Sequence, residues 1–264
     1  MVRFVVSPNL LGSNGWLGLR EDLLIPGAGV EAQSRDLARR FAEIQVWFSD
    51  LDDFDTRSPA KIIAMNAVGT KVYDPAYACW ALKTLALFLR YGKKRAEGMS
   101  WKLYYEAFLK QDVEGDWLKD EAFKFIDDLL TPGKIAQLLY PEVREFYASF
   151  GARKYLITRN LERIAYRYSK VLPYSGYYYE VMDKAAVVEA FLKAHPEITR
   201  YGSGGDSSED AEVADALYFH YRKGSIGQPL CLCRTDSPFS LDGAFNIYVG
   251  KDRSTLSRIL AAGP

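Results

Sequence analysis

The sequence predicts an α/β protein built on a mainly parallel sheet with helices on both faces, interrupted by an inserted all-helical block. First, residues 44–49 form a short, nearly continuous apolar segment, which is typical of a strand buried on both faces. Second, strand-like and helix-like segments alternate from residue 154 onward, as they do in parallel sheets. Third, the intervening residues 75–150 carry apolar side chains at helical spacing.

Residues 1–43 form a lead-in to which the sequence assigns no role. The lead-in contains a short apolar piece at Val2–Val6, glycines at positions 12, 15 and 18, and a helical pattern near Ser34–Ala42. Glycines at this spacing do not match a dinucleotide-binding loop, so we interpret them as ordinary turns.

The segment from Pro75 to Phe150 is predicted to form amphipathic helices. Three sets of apolar residues repeat the i, i+3, i+4, i+7 spacing of a helix with one buried face. Such stripes usually belong to a core, and we assign them no catalytic role. The sets are Trp101, Tyr104, Tyr105 and Phe108; Ala122, Phe125, Ile126 and Leu129; and Val143, Phe146, Tyr147 and Phe150.

The residues after this block supply the other core elements. Because the block stands between the first and second core strands, residues 1–74 and 151–264 are predicted to form the core domain and residues 75–150 an insertion. Helices are predicted over 161–168, 183–192 and 209–221, and from Ser254 onward. Strands are predicted at Lys154–Ile157, Tyr177–Val181, near Thr199, Leu230–Cys233 and Phe245–Val249.

The composition argues against several classes of protein. Lysine plus arginine (34) equals aspartate plus glutamate (34), so no bulk positive charge favours nucleic acid or an anionic membrane. Two histidines give little support to a histidine-based metal site or catalytic triad. Cys231 and Cys233 alternate in a predicted strand, where core packing is favoured over a metal or redox pair. We identify no signal peptide and no apolar segment of membrane-spanning length, and we predict a cytoplasmic protein.

Polar residues follow the first four predicted core strands. Four acids lie within Asp50–Asp55, and Thr158–Asn160 follows the second strand. Lys184 begins the helix after the third strand, and Asp206–Asp210 follows the fourth. Taken singly, these residues have ordinary explanations, such as a helix cap for Thr158 or a solvated turn for the acids. Because ligands bind beyond the carboxyl ends of parallel strands, however, the four segments are expected to meet at one edge.

Two features favour a binding site over separate turns. Lys184 is predicted in the first turn of a helix, where the helix dipole disfavours a cation. Carboxylates gathered at one sheet edge repel one another unless something positive lies among them. A Mg²⁺ ion would satisfy the acids, and a phosphate group would satisfy Lys184 and Thr158.

The ordered set resembles the four motifs of the haloacid dehalogenase superfamily. The resemblance extends from about Ile44 to the end of the sequence and implies a Rossmann-like core. It also implies that the inserted helices are a cap that closes over the active site. The motifs are Phe48-Ser49-Asp50-Leu51-Asp52, Leu156-Ile157-Thr158, Lys184, and Gly205-Asp206-Ser207-Ser208-Glu209-Asp210.

The resemblance further implies a role for each motif residue. Asp50 would attack phosphorus to form an aspartyl-phosphate, and Asp52 would protonate the leaving oxygen and later take a proton from water. Thr158 would hydrogen-bond a phosphoryl oxygen, and Lys184 would balance the charge of the phosphoryl group and of Asp50. The ligands of Mg²⁺ would be Asp50, the backbone carbonyl of Asp52, Asp206, and Asp210 or Glu209.

The resulting expectation is a Mg²⁺-dependent phosphohydrolase that cleaves a small phosphomonoester. The alternatives are a phosphotransferase, dehalogenation or phosphonate cleavage, and a catalytically weakened module that binds or regulates. Two departures from the superfamily pattern favour the last alternative. Phe54 stands where Thr or Val is usual, and residues 200–205 are much less apolar than a core strand, so we expect a short or bent strand there. The sequence leaves the substrate and the oligomeric state open.

Overall fold

The chain divides into two compact units, Met1–Ser58 with Pro132–Pro264, and Pro59–Thr131. All the strands and helices named below belong to the first unit. No helix in the described part of the chain is long and apolar enough to cross a membrane. The computed structural model describes residues 4–6, 18–20, 38–51, 54–57, 59, 62, 82, 86, 89–90, 124, 126–149, 151–205, 210–234 and 245–249.

Eight strands are described, and six of them form one sheet. In chain order they are β1 (Phe4–Val6), β2 (Gly18–Arg20), β3 (Val46–Ser49), β4 (Arg153–Ile157), β5 (Gly176–Tyr178), β6 (Tyr201–Gly205), β7 (Leu230–Arg234) and β8 (Phe245–Val249). The six-stranded sheet has the order β5-β4-β3-β6-β7-β8, and every neighbouring pair is parallel. Strands β1 and β2 form a separate antiparallel pair.

The helices of the first unit occupy the connections expected for a parallel sheet. They are α1 (Pro132–Leu138), α2 (Pro141–Ser149), α3 (Glu162–Ser169), α4 (Lys184–Ala194) and α5 (Ala211–Arg222). Helix α3 connects β4 to β5, α4 connects β5 to β6, and α5 connects β6 to β7. The prediction of an α/β fold with a Rossmann-like, mainly parallel sheet is therefore confirmed.

Strand β3 is buried on both faces because its side chains alternate between two aromatic layers. Trp47 packs edge-on against Phe146 of α2, with ring centroids 5.4 Å apart. On the other face, Phe48 stacks on Tyr201 of β6 at 6.1 Å and meets Phe191 of α4 edge-on at 5.2 Å. All four residues of β3 are buried, so the apolar run at 44–49 marks the centre of the sheet.

Strand β6 corrects the expectation of a short or bent strand over 200–205. It has five residues, all of them buried, and it pairs with β3 from Val46↔Tyr201 to Ser49↔Gly204. Its glycines leave space that neighbouring side chains fill: a Cβ on Gly202 would lie 2.6 Å from ring atoms of Trp47. The low apolar content of this segment therefore reflects close packing against β6 and not exposure to solvent.

The second unit and the predicted insertion have different bounds. The prediction placed the insertion at residues 75–150, whereas the second unit is Pro59–Thr131. Helix α2, predicted within the insertion, lies in the first unit, where its Phe146 covers Trp47. The amphipathic stripe of α2 faces the sheet's own core, which helical periodicity alone does not reveal. The assignment of the inserted helices as a cap stays a prediction.

Two smaller predictions also meet the structure. Gly18, interpreted as part of a turn, is the first residue of β2 and pairs with Val6, because its backbone groups join the ladder as any residue's would. Cys231 is buried as expected, and burial raises the pKa of its thiol to about 12. The other two cysteine side chains, and the predicted helix from Ser254, lie outside the described residues.

Candidate functional site

Asp50 occupies the point where the order of the sheet reverses. From β3 the chain proceeds to β4 and β5 on one side, then returns to place β6 on the other side of β3. Asp50 follows β3 directly, and its backbone N–H donates to the carbonyl of Gly204 at 2.9 Å. Ligands of open parallel sheets bind at such a switch point, beyond the carboxyl ends of the strands.

Lys184 joins two carboxylates at this edge. Its Nζ donates to Oδ1 of Asp50 at 2.8 Å and to Oδ1 of Asp210 at 2.5 Å. Lys184 is only 3% exposed, Asp50 7% and Asp210 6%, so all three charges are shielded from water. The sequence separates these residues by 134 and 26 positions, and the fold brings them into direct contact.

The position of Lys184 follows from the start of α4. Asp183 is the N-cap of α4, and its side chain accepts a hydrogen bond from the N–H of Ala186 at 2.9 Å. This cap places Lys184 in the first turn, where the helix dipole opposes its charge. Burial lowers the pKa of Lys184, but the nearby charges of Asp50 and Asp210 outweigh that effect and raise the pKa above its usual value. Lys184 is therefore a permanent cation at neutral pH.

Asp210 belongs to the ion pair and does not cap α5. It is the residue before α5, yet its side chain makes no capping hydrogen bond and reaches Lys184 instead. A Cβ on Gly205 would lie 2.2 Å from the Cβ of Asp210, so only a glycine at position 205 allows this approach. The contact with Asp210 therefore explains, on steric grounds, why a glycine stands at position 205, directly before the predicted Asp206–Asp210 motif.

Thr158 lies at the same edge, after the neighbouring strand β4. It is fully buried, and its Oγ1 accepts hydrogen bonds from the backbone N–H and the side-chain amide of Asn160, at 3.1 and 2.9 Å. The N-cap of α3 is Leu161, so Thr158 is not a helix cap. Because Oγ1 accepts both bonds, the hydroxyl proton of Thr158 is available to donate.

Three predicted site residues are thus in contact, and a fourth shares their edge. Asp52, Asp206 and Glu209 lie outside the described residues. Among the side chains that the structure describes, no group of three or more His, Cys, Asp or Glu comes together as a metal site. A small cavity opens beside Asp50, Lys184 and Asp210, and its other lining residues are Phe48, Ser49, Ile157, Ser203, Gly204 and Val213.

Phe54, expected beside a leaving-group pocket, packs against the backbone of β6. Its side chain is 1% exposed, and a Cβ on Gly204 would lie 2.2 to 3.0 Å from three atoms of its ring. A large residue at position 54 is therefore matched by the absence of a side chain at position 204. Phe54 and Gly204, which belongs to the weakly apolar segment 200–205, are thus the two halves of one packing contact.

We expect Gly204→Ala to lower the free energy of unfolding by about 1–3 kcal/mol, because its methyl group would overlap the ring of Phe54. Urea denaturation measures the change. Gly133→Ala in α1 is the matched control, since a Cβ there meets nothing within 4 Å and alanine favours a helix. Adding Phe54→Leu should recover most of the loss. Equal stability of Gly204→Ala and the wild type would contradict this packing account.

A second polar cluster adjoins Asp50, and it was not predicted from the sequence. Ser49, Asp55, Tyr147 and Tyr174, here called the Asp55 cluster, are joined by hydrogen bonds. Burial and the negative charge of Asp55 raise the pKa of Tyr174, and the charge of Asp50 contributes to the same direction. The one sign of this cluster in the sequence is Tyr147, which brings a hydroxyl group into the apolar stripe predicted for α2.

Comparison with solved structures identifies the fold. The cytosolic 5'-nucleotidase IIIB bound to cytidine matches with a TM-score of 0.54 at 12% identity, over 97% of this chain and 96% of that chain. A probable phosphoserine phosphatase from Vibrio cholerae matches with a TM-score of 0.50 at 13% identity, over 94% and 69%. A haloacid dehalogenase-like hydrolase from Burkholderia xenovorans LB400 has a TM-score of 0.47 at 11% identity, over 80% and 96%.

No protein-family model and no curated protein sequence matches the chain. The likeness therefore rests on the three-dimensional fold and not on the sequence. The chain therefore shares its α/β fold with this nucleotidase and this phosphoserine phosphatase.

Proposed function

We propose that the protein is a Mg²⁺-dependent phosphohydrolase that cleaves a small phosphomonoester through an aspartyl-phosphate on Asp50. The observation that carries the proposal is the ion-paired group of Asp50, Lys184 and Asp210 at the switch point of the sheet. A buried cation fixed beside a carboxylate is what an attack on an anionic phosphoryl group requires.

The charges at the site fit a divalent cation. Two carboxylates and one ammonium sum to a net charge of −1 when all three groups are ionised. Asp50 and Asp210 would hold the ion, together with the backbone carbonyl of Asp52 and with Asp206, as the superfamily motifs imply. When bound, Mg²⁺ would supply electrostatic stabilisation of the phosphoryl oxygens.

The residues of the chain then divide the work of phosphoryl transfer. A carboxylate oxygen of Asp50 forms a bond to phosphorus as the bond to the leaving oxygen breaks, and Asp52 gives that oxygen a proton. Lys184 keeps its charge beside the attacking carboxylate throughout. Thr158 donates its hydroxyl proton to a phosphoryl oxygen. Water activated by Asp52 then hydrolyses the aspartyl-phosphate and regenerates Asp50.

A small substrate is favoured by the insertion between β3 and β4. The second unit stands in the chain where the superfamily carries a cap, and a cap that closes over the site leaves little room for a macromolecule. Two solved structures that match with TM-scores of 0.50 or more are named as a nucleotidase and a probable phosphoserine phosphatase. A small phosphorylated metabolite is therefore the proposed substrate class.

The packing of the chain favours the catalytic function over the non-catalytic alternative. It rested on Phe54 and on the weakly apolar residues 200–205. Phe54 packs over Gly204, Trp47 packs over Gly202, and the whole of β6 is buried, so packing accounts for the glycines of this strand. Hydrolysis and phosphotransfer share the aspartyl-phosphate and differ in the acceptor. Release of inorganic phosphate, compared with transfer to an added alcohol, separates them.

The test is hydrolysis of p-nitrophenyl phosphate with Mg²⁺ and after chelation by EDTA. We expect hydrolysis that depends on Mg²⁺ and returns when Mg²⁺ is added back, because the carboxylates alone repel the phosphoryl group. Acid quenching during turnover should trap phosphate on the protein in a form that hydroxylamine releases, as for an acyl phosphate. Hydrolysis that EDTA leaves unchanged would contradict the proposal. So would the absence of protein-bound phosphate in samples that are quenched within the first turnovers.

A further inference from the structure

The Asp55 cluster contains a carboxylate that the proposed chemistry does not use. Asp55 is fully buried, and Ser49 and Tyr147 are each 2% exposed. Tyr147 Oη lies 2.7 and 2.8 Å from the two oxygens of Asp55, and Ser49 Oγ donates to Oδ2 at 2.9 Å. The Tyr174 hydroxyl donates to the same Oδ2. A buried carboxylate is tolerated only when donors surround it, and here three hydroxyl groups do so.

The cluster touches the nucleophile's own segment. Ser49 is the last residue of β3 and immediately precedes Asp50. The Oγ of Ser49 also lies 2.6 Å from the Oη of Tyr147. The backbone N–H of Thr56 donates to the carbonyl of Leu51 at 3.2 Å, which closes the loop after Asp50. The side chain of Asp55 therefore ties the end of this loop back to its beginning.

The backbone of the same segment joins a second part of the chain. Thr56 and Leu139 form an antiparallel bridge, and the N–H of Tyr140 donates to the carbonyl of Asp55 at 3.3 Å. Thr56 Oγ1 and the N–H of Arg57 donate to the carbonyl of Leu138, at 3.0 and 3.1 Å. We call residues 55–57 and 138–140 the paired stem, because the chain leaves the first unit after Ser58 and returns at Pro132.

We infer that the Asp55 cluster is a positioning device that locks the segment carrying Asp50 to the paired stem. Asp55 has its side chain in the cluster and its carbonyl in the stem, so displacement of the stem would displace the residue that holds Ser49. The inference rests on the proposed function, because it gives these residues their effect through Asp50. They are positioning residues and contact no reacting atom.

Stability alone does not account for the choice of residues. Four apolar side chains would fill the same space without the cost of desolvating a carboxylate, and such replacements often stabilise a protein. A fully satisfied polar cluster instead selects one arrangement, because its hydrogen bonds form only in a defined geometry. An attacking oxygen must be held in a defined orientation, and displacing it by about 1 Å can lower the reaction rate by about 10²-fold.

Tyr147→Phe tests the inference against Tyr201→Phe. Tyr201 is also buried, at 1% exposure, and its hydroxyl has no hydrogen-bond partner in the described part of the chain. This control therefore removes a buried phenol hydroxyl without breaking a hydrogen bond to a described residue. With p-nitrophenyl phosphate and saturating Mg²⁺, we expect Tyr147→Phe to lower kcat about tenfold or more while KM stays within about twofold. Tyr201→Phe should change neither constant by more than about twofold.

Ser49→Ala is the second variant, because removing one hydroxyl leaves Asp55 two donors and the fold intact. Ser49→Ala should also lower kcat, by a smaller factor than Tyr147→Phe does. The inference is overturned if the wild type is active and both cluster variants keep its kcat, or if any loss follows only the change in melting temperature. Either result would leave the proposed function standing.

Amide hydrogen exchange gives a readout that needs no activity. The N–H groups of Thr56 and Tyr140 are hydrogen-bonded within the loop and the stem. We expect both to exchange faster in Tyr147→Phe than in the wild type, and neither to change in Tyr201→Phe. If the wild type hydrolyses no phosphate ester, the proposed function fails and this exchange result alone decides the inference. Unchanged protection in Tyr147→Phe would overturn it.

Discussion

We expect Asp50→Asn to lose hydrolysis of p-nitrophenyl phosphate by about 10³-fold or more while remaining at least as stable as the wild type. An amide cannot serve as the carboxylate nucleophile. The same change removes one of the two negative charges around Lys184, so the remaining pair of Lys184 and Asp210 is neutral. The loss of activity thus follows from the loss of the nucleophile, and the retained stability follows from the neutral pair that remains.

The matched control for Asp50→Asn is Asp183→Asn. It makes the same chemical change one residue before Lys184, at an exposed N-cap position where asparagine caps as well as aspartate. Steady-state kinetics and thermal denaturation of the two variants give the comparison. Activity in Asp50→Asn within about tenfold of the control would remove Asp50 from the mechanism, because removal of a covalent nucleophile costs far more.

Lys184→Met should have the opposite effect on stability. It leaves Asp50 and Asp210 facing each other without the cation that contacts both, and breaking a buried ion pair in this way typically costs about 3–5 kcal/mol. Loss of the charge that offsets the phosphoryl group should also lower kcat by about 10²–10³-fold. Urea denaturation and phosphate hydrolysis measure the two effects on one sample.

Lys193→Met, at an exposed position late in α4, controls for the substitution itself and should change stability by less than about 0.5 kcal/mol. Adding Asp210→Asn to Lys184→Met should restore part of the lost stability. The pKa of Lys184 is raised in the folded protein, so its stabilising effect is fully present below the unfolded value of about 10.4 and declines above it. Stability of Lys184→Met equal to that of Lys193→Met would contradict the electrostatic account.

The sequence predicted those parts of the fold that depend on local pattern. The apolar run at 44–49 became the central strand β3, and Phe245–Val249 was placed with the bounds that the structure shows. Lys184 was singled out because a cation in the first turn of a helix needs a compensating charge, and the structure shows Asp50 and Asp210 in contact with it. Both inferences used physical constraints that act within a few residues.

The remaining features depend on contacts between distant segments. Nothing near Gly204 in the sequence shows that Phe54 fills its missing side chain, and nothing near Asp55 shows that Tyr147 will meet it 92 residues later. Helical periodicity predicted a buried face for α2 but not which core that face joins. These outcomes require the three-dimensional arrangement, because their energies come from packing and pairing across the sheet.

The bridge between Thr56 and Leu139 bears on how this chain can be rebuilt. It brings together the two points of the sheet-bearing unit between which residues 59–131 are inserted. Lengthening a connection between ends already held together adds little entropic cost, since that cost rises only with the logarithm of the length. Segments of very different size can therefore be exchanged at this position without altering the order of the strands. We therefore expect the stem to accept a different inserted segment while Asp50, Lys184 and Asp210 stay in place on the sheet-bearing unit.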